Sequence, residues 1–158
     1  MPKDTIPSES EALGRVASLC SRSEHCISQV EEKLERWGVV SEVRERIISQ
    51  LVKERFIDEA RFARSYALDK MRYNHWGRVK IDQMLRMLGI SSADRKSALD
   101  GLPDDEYLDI LRRLARQKLP TIQADTDYEQ RSKIARYLVG KGFETSLVFH
   151  ALDFSPDD

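Results

Sequence analysis

The chain has 158 residues and a mass of 18.3 kDa, enough for one domain or for two or three small repeated ones. Hydrophobic residues make up 41% and charged residues 34%, too apolar for a disordered chain and more charged than a compact globule needs. No apolar run reaches the ~18 residues of a membrane helix, and two cysteines, Cys20 and Cys26, are too few for a disulfide framework.

Residues 1–10 hold two prolines among small polar side chains and read as a disordered tail, with no basic region followed by an apolar one as in a secretory signal. The cytoplasm is the expected compartment. From about Glu11 the apolar spacing is helical, with Leu13, Val16, Ala17 and Cys20 on one face. A second helix through Ile27, Val30 and Leu34 stops at Trp37-Gly38. Ser41 is placed to cap a third, with Ile47, Ile48 and Leu51 inward. These helices form a first unit, 11–57.

The same phrase then returns. Leu34-Glu35-Arg36-Trp37-Gly38-Val39 is followed by Leu85-Arg86-Met87-Leu88-Gly89-Ile90 and by Leu138-Val139-Gly140-Lys141-Gly142-Phe143. After each glycine come a cap candidate (Ser41, Ser92, Thr145) and an apolar pair at one fixed offset: Ile47-Ile48, Ala98-Leu99, Ala151-Leu152. The spacing predicts three stacked units of three helices each, the second over 58–102 and the third over 103–154. The expected fold is all-α, an elongated, curved array of three tandem three-helix repeats.

In the second unit Asp58 is expected to cap a helix burying Phe62, Ala63, Tyr66, Ala67 and Met71, and a turn spans residues 72–77. The next helix buries Ile81, Met84, Leu85 and Leu88 and exposes Arg78, Asp82 and Arg86, which are spaced to pair locally. The third opens at Asp104-Asp105-Glu106, suited to a helix N-terminus, and buries Leu108, Leu111, Leu114 and Ala115. A loop with Pro120 follows, then helices over 127–140 and 145–152 and a frayed tail, 154–158.

Charge is unevenly placed. Residues 61–96 carry nine Lys/Arg against three Asp/Glu, whereas 1–60 carry nine against twelve and 97–158 eight against twelve. A basic centre between acidic flanks steers an anionic partner to one place. Arg61, Arg64, Lys70, Arg72, Arg78, Lys80 and Arg86 surround a turn holding Tyr73, His75 and Trp76. Cations interleaved with aromatics suit phosphates with stacked bases, or an acidic protein groove with apolar anchors. The plainer reading is of solvated helix faces with Trp76 packed against a neighbouring unit; for the cluster as a whole, binding is the stronger expectation.

No phosphate loop, zinc-protease helix or nucleophile elbow occurs. His25, His75 and His150 stand in different units. Cys20, His25 and Cys26 lack the fourth ligand of a structural zinc site, and acidic pairs such as Asp104-Asp105 and Asp125/Asp127 read as helix caps. No enzyme, metal or cofactor is expected. Helix-turn-helix reading of DNA is weakly supported, because the third helix of the second unit is short and only mildly basic.

Phe56-Ile57-Asp58-Glu59-Ala60-Arg61-Phe62-Ala63-Arg64-Ser65-Tyr66, then Gly77-Arg78-Val79-Lys80-Ile81 and the Gly89-Ile90 step, resemble the central signature of RecX regulatory proteins, and the likeness runs from Leu13 to Leu152. Two positions depart from that signature: Arg78 stands where a proline commonly follows the glycine, and Leu88 where a lysine commonly precedes the repeat glycine. The resemblance implies three-helix repeats and a non-enzymatic modulator of the RecA recombinase. It would bind the RecA–single-stranded DNA filament along its groove and mainly inhibit ATPase, strand exchange and co-protease action in recombination, DNA repair and the SOS response. The expected partners are that filament and single-stranded or duplex DNA, with no membrane and a monomeric state; Arg72, Arg78 and Lys80 are expected to contribute most to affinity. The alternative is a helical DNA-binding module acting directly on nucleic acid.

Overall fold

A computed structural model describes residues 5–152. The expected tail at 154–158 and the first four residues of the expected disordered segment 1–10 lie outside them. Among the described residues every regular element is helical: α1 (Glu9–Arg22), α2 (Ile27–Arg36), α3 (Ser41–Lys53), α4 (Glu59–Asn74), α5 (Arg78–Met87), α6 (Ser92–Asp100), α7 (Asp104–Lys118), a 3₁₀ turn (Leu119–Thr121), α8 (Asp127–Gly140) and α9 (Thr145–Ala151). They pack as α1–α3, α4–α6 and α7–α9, the tandem array of three-helix units that the apolar spacing predicts. Helix α1 starts two residues earlier than expected, because Ser8 accepts the Glu11 N–H and so caps it.

The repeat is stereochemical as well as sequential. Gly38, Gly89 and Gly142 all have left-handed φ, +82°, +80° and +99°. At each, the residue after the glycine donates its N–H back to a leucine carbonyl: Val39 to Leu34, Ile90 to Leu85, Phe143 to Leu138, at 3.1–3.2 Å. This closure satisfies carbonyls at the end of the second helix of each unit and turns the chain into the third.

The caps that follow sit one residue earlier than expected. Val40, Ser91 and Glu144 are the N-caps, and Ser41, Ser92 and Thr145 are the first helical residues. In the first two units an arginine six residues after the glycine fixes this turn. Arg44 Nη1 donates to Val39 O and Arg95 Nη1 to Ile90 O, both at 2.7 Å. Each guanidinium also meets a carboxylate seven residues before the glycine, Arg44 with Glu31 (3.7 Å) and Arg95 with Asp82 (2.9 Å). Asp82 therefore pairs across to α6, not with Arg78 or Arg86 on its own helix. In the third unit the same two positions are Val148 and Ala135, both buried.

Other expectations at helix starts are corrected too. Pro103, not Asp104-Asp105, is the N-cap of α7, and Thr126 caps α8 by accepting the Glu129 N–H, with Asp125 and Asp127 on either side. Helix α7 buries Tyr107 and Ile110 with Leu111 and Leu114, whereas Leu108 is only half-buried. Helix α4 runs on to Asn74, so the expected turn 72–77 shortens to 75–77.

Two cores result. One joins eight buried residues of the first unit, among them Val16, Leu34, Ile47 and Leu51. The other runs continuously through the second and third units, from Phe62 and Met71 to Tyr107, Leu138 and Phe143, and takes in Cys26 from the first. Successive units meet in one repeated way. The start of the second helix of one unit lies on the glycine turn of the next. Gly77 N–H donates to Lys141 O and Val79 N–H to Gly142 O, both at 2.9 Å. The equivalents one repeat earlier are Cys26 and Ser28, which meet Leu88 through side chains, with Ser28 Oγ donating to Leu88 O at 2.6 Å. A Cβ on Gly77 would overlap the Gly142 carbonyl and the Phe143 nitrogen, so only glycine allows the direct backbone joint.

Candidate interaction surface

Within the basic centre, three arginines, Arg61, Arg72 and Arg78, are paired with carboxylates, whereas Lys70 and Lys80 gather on an aromatic ring. Arg61 joins the first two units: its Nε donates to Glu24 at 2.5 Å and its Nη2 to the Arg55 carbonyl at 3.1 Å. Arg72 makes a forked pair with Glu106 of α7, at 2.8 and 3.1 Å. The strong hydrogen bond from Arg72 holds the Glu106 carboxyl below the usual carboxylate range.

Arg78 is the most engaged, with a side chain 21% exposed. It donates to Glu144 (3.0 Å) and Asp104 (2.9 Å), and its guanidinium lies 3.9 Å from the Tyr107 ring centroid. Tyr107 completes the hub: its hydroxyl accepts the Arg78 N–H at 2.9 Å and donates to Glu144. Burial, then the bond to Glu144, pushes the Tyr107 hydroxyl far above its ordinary range. A planar fork suits such sites, which is why arginine and not lysine occupies them.

The lysines gather round Trp76. His75 takes a left-handed conformation (φ +56°) at the end of α4, and Trp76 N–H donates back to Lys70 O at 3.1 Å. The chain thus reverses and brings the indole against the last turns of its own helix. Lys70 Nζ lies 4.9 Å from the Trp76 ring, and Lys80, on the first turn of α5, lies 4.6 Å from it. The half-buried Trp76 packs on the larger core, so it is both core residue and lysine support.

Lys141 comes to the same place from the third unit, its Nζ donating to Asn74 O at 3.0 Å. Burial, then the nearby Lys80 ammonium, holds Lys141 below the ordinary lysine range. Among the described residues none of these three lysines is in an ion pair. Sequence reasoning missed Lys141 because it is 67 residues from Asn74. Its flanking glycines, Gly140 and Gly142, were the available sign of a turn approaching another backbone closely.

Of the ten residues expected on this surface, the structure brings together Lys70, Trp76 and Lys80. Tyr73, 79% exposed, is the next aromatic along α4. His75 is half-buried in the turn itself. Arg64 and Arg86 are exposed, but each is six residues from the lysine on its helix, about 240° round the axis, and so faces elsewhere. Beside Lys70 a groove of about 650 Å³ runs between the first two units, lined by Phe62, Tyr66, Tyr73 and Asn74 with Glu24 and Asp69 among the polar groups. No described helix is long and apolar enough to cross a membrane, and among the described residues no three His, Cys, Asp or Glu side chains are grouped as metal ligands.

The chain resembles proteins of known name along most of its length. Residues 58–99 match the second three-helix domain of RecX, and residues 104–152 the third. A regulatory protein RecX of Leuconostoc mesenteroides is 25% identical over 143 residues, 90% of this chain and 54% of that relative. Another, of Stenotrophomonas maltophilia, is 28% identical over 153 residues, 96% and 91% of the two. The chain spans about half of the first and nearly all of the second. The crystal structure of RecX from Lactobacillus salivarius superposes with a TM-score of 0.82 at 21% identity, covering 97% of each chain. A second RecX crystal structure gives 0.82 at 23% identity, over 93% of this chain and 73% of the other. At those identities the structures establish the shared fold.

Proposed function

The chain belongs to the RecX family, two of whose domains together match more than half of it, and from that membership we propose that it is a non-enzymatic regulator of the RecA recombinase. In this reading it acts in the cytoplasm as a monomer, binds the RecA–single-stranded DNA filament, and mainly inhibits ATP hydrolysis, strand exchange and co-protease action. The observation that carries the binding part is the pair Lys70 and Lys80 on Trp76, in the most basic stretch of the chain, joined by Lys141 from the third unit, all three without a carboxylate among the described residues. Fixed ammonium groups with no carboxylate beside them favour an external anion, whether acidic protein surface or strand phosphate. Arg72 and Arg78, engaged with Glu106, Glu144 and Asp104, are assigned to holding units together, which moves the expected affinity onto the lysines.

The test is the single-stranded-DNA-dependent ATPase of RecA with this protein titrated well below one per recombinase. Inhibition in that range, not displaced by free DNA, is the expected result. A second reading, a helical module acting on nucleic acid alone, is favoured by the same unpaired lysines. It predicts no effect until the DNA is saturated, and a steep loss of binding with salt as phosphates regain counterions.

A further inference from the structure

The lysine cluster and the groove beside it are continuous, because Lys70 belongs to both. Trp76 carries an ammonium at 4.9 Å and another at 4.6 Å, so its ring is occupied in placing lysines. The aromatic left open is Tyr73, largely exposed, since Tyr66 on the groove wall already has Lys70 Nζ 5.4 Å from its ring and packs on Phe62. We propose that Lys70, Lys80 and Lys141 form a phosphate site, and that the adjoining groove takes the nucleoside attached to that phosphate.

Three features support a nucleotide over an acidic peptide. The groove volume is within the range of small-molecule sites. Tyr73 at its edge offers a π-face to a base, a contact that tolerates any base. Asp69 at the groove would repel further carboxylates but can accept the amino groups of bases, whereas Glu24 beside it is held by Arg61. Lys141, kept partly out of water next to Lys80, gains most from a shared anion, since a phosphate would relieve both burial and repulsion. The phosphate can come from a nucleic-acid strand or from a free nucleotide. This inference deepens the regulator reading by naming what the surface holds, and it rests on that reading only for the filament as the source of the strand.

The experiment uses the full chain without recombinase, so its failure is separate from that of the ATPase test. Binding of fluorescein-labelled oligothymidylate is followed by anisotropy, with inorganic triphosphate, a nucleoside triphosphate and polyglutamate as competitors. K70Q/K80Q/K141Q should bind the oligonucleotide at least tenfold more weakly, with a salt slope flatter by about 0.7, the share of one phosphate on a single strand. R64Q, an exposed cation outside the cluster, should stay within twofold. Y73A should weaken the oligonucleotide about fivefold or more while leaving inorganic triphosphate competition against the parent unchanged. Displacement by the nucleoside triphosphate at concentrations near that of the oligonucleotide would assign a free nucleotide as a ligand; displacement only by strands would assign the backbone. If melting shows the triple variant unfolded, K70Q and K80Q singly, each expected at least threefold weaker, decide the matter. Unchanged affinity in the lysine variants, an equal loss in R64Q, or displacement by polyglutamate at equal charge would overturn the site.

Discussion

Arg78 shows why a count of basic residues overstates a binding surface. Its charge is spent on Glu144, Asp104 and the Tyr107 ring, and its backbone N–H on the Tyr107 hydroxyl. R78A should cost about 2 kcal/mol in chemical denaturation, because it strands partly buried acceptors. R78K should recover less than half of that, since lysine cannot reproduce the fork. Oligonucleotide binding, measured where the variant is folded, should change less than in K80Q. Glu59 makes a pH-dependent prediction. Burial first, then the charge of Asp94, raises its carboxyl pKa, and its Oε2 is buried without a partner. A carboxyl whose folded pKa exceeds its unfolded value binds protons more tightly when folded, so it favours folding at acid pH and loses that contribution as pH rises through the folded pKa. E59Q should therefore raise Tm at pH 7, with the gain shrinking towards pH 4. Parallel melts at the two pH values measure it. The identities of these residues were legible in the sequence; their partners, dozens of positions away, were not.

At the scale of elements, the joint between the second and third units depends on one missing side chain. Gly77 and Gly142 meet backbone to backbone, and G77A should force the joint open at a cost of about 2–4 kcal/mol, read from the denaturation midpoint at unchanged slope. The matching joint between the first two units is spaced by the buried Cys26, so C26A should cost less, about 1–2 kcal/mol. Helix positions and the glycine closures could be read from the chain because apolar period and left-handed turns are local. The caps slipped by one residue because serine at 41 or 92 satisfies either position by composition. What settles the choice is Arg44 or Arg95 reaching back to a carbonyl, which no local rule contains. Tyr107 was passed over for Leu108 for the same kind of reason: a tyrosine is buried only when its hydroxyl finds partners, and those come from α5 and from the α9 N-cap.

Across the whole molecule, two cores serve three units. The first unit keeps a core of eight buried residues and touches the second through Cys26, Ser28 and the Arg61–Glu24 pair, whereas the second and third share one interior. Opening of α1–α3 should therefore need less free energy than opening of α4–α9, by at least about 1–2 kcal/mol. Hydrogen exchange read by mass spectrometry measures the difference, and equal protection in the two blocks would contradict it. The repeat gave away the array from sequence alone, but not this division, because the merging of two cores depends on how closely two glycine turns approach. Charge followed the same rule: the basic centre was visible, and the pairing of Arg61, Arg72 and Arg78 with carboxylates while Lys70 and Lys80 gather on Trp76 was not.

The latch that pairs Arg44 with Glu31 and Arg95 with Asp82, and that becomes Val148 over Ala135 in the third unit, also guards the order of assembly. Tandem copies that share the same glycine turn are prone to exchange parts while folding. A third-unit helix seated in either earlier unit would put a valine against an unanswered carboxylate. An earlier helix seated in the third unit would press a guanidinium onto alanine. Each wrong exchange with the third unit leaves a charge unpaired at the latch, and each correct closure leaves none.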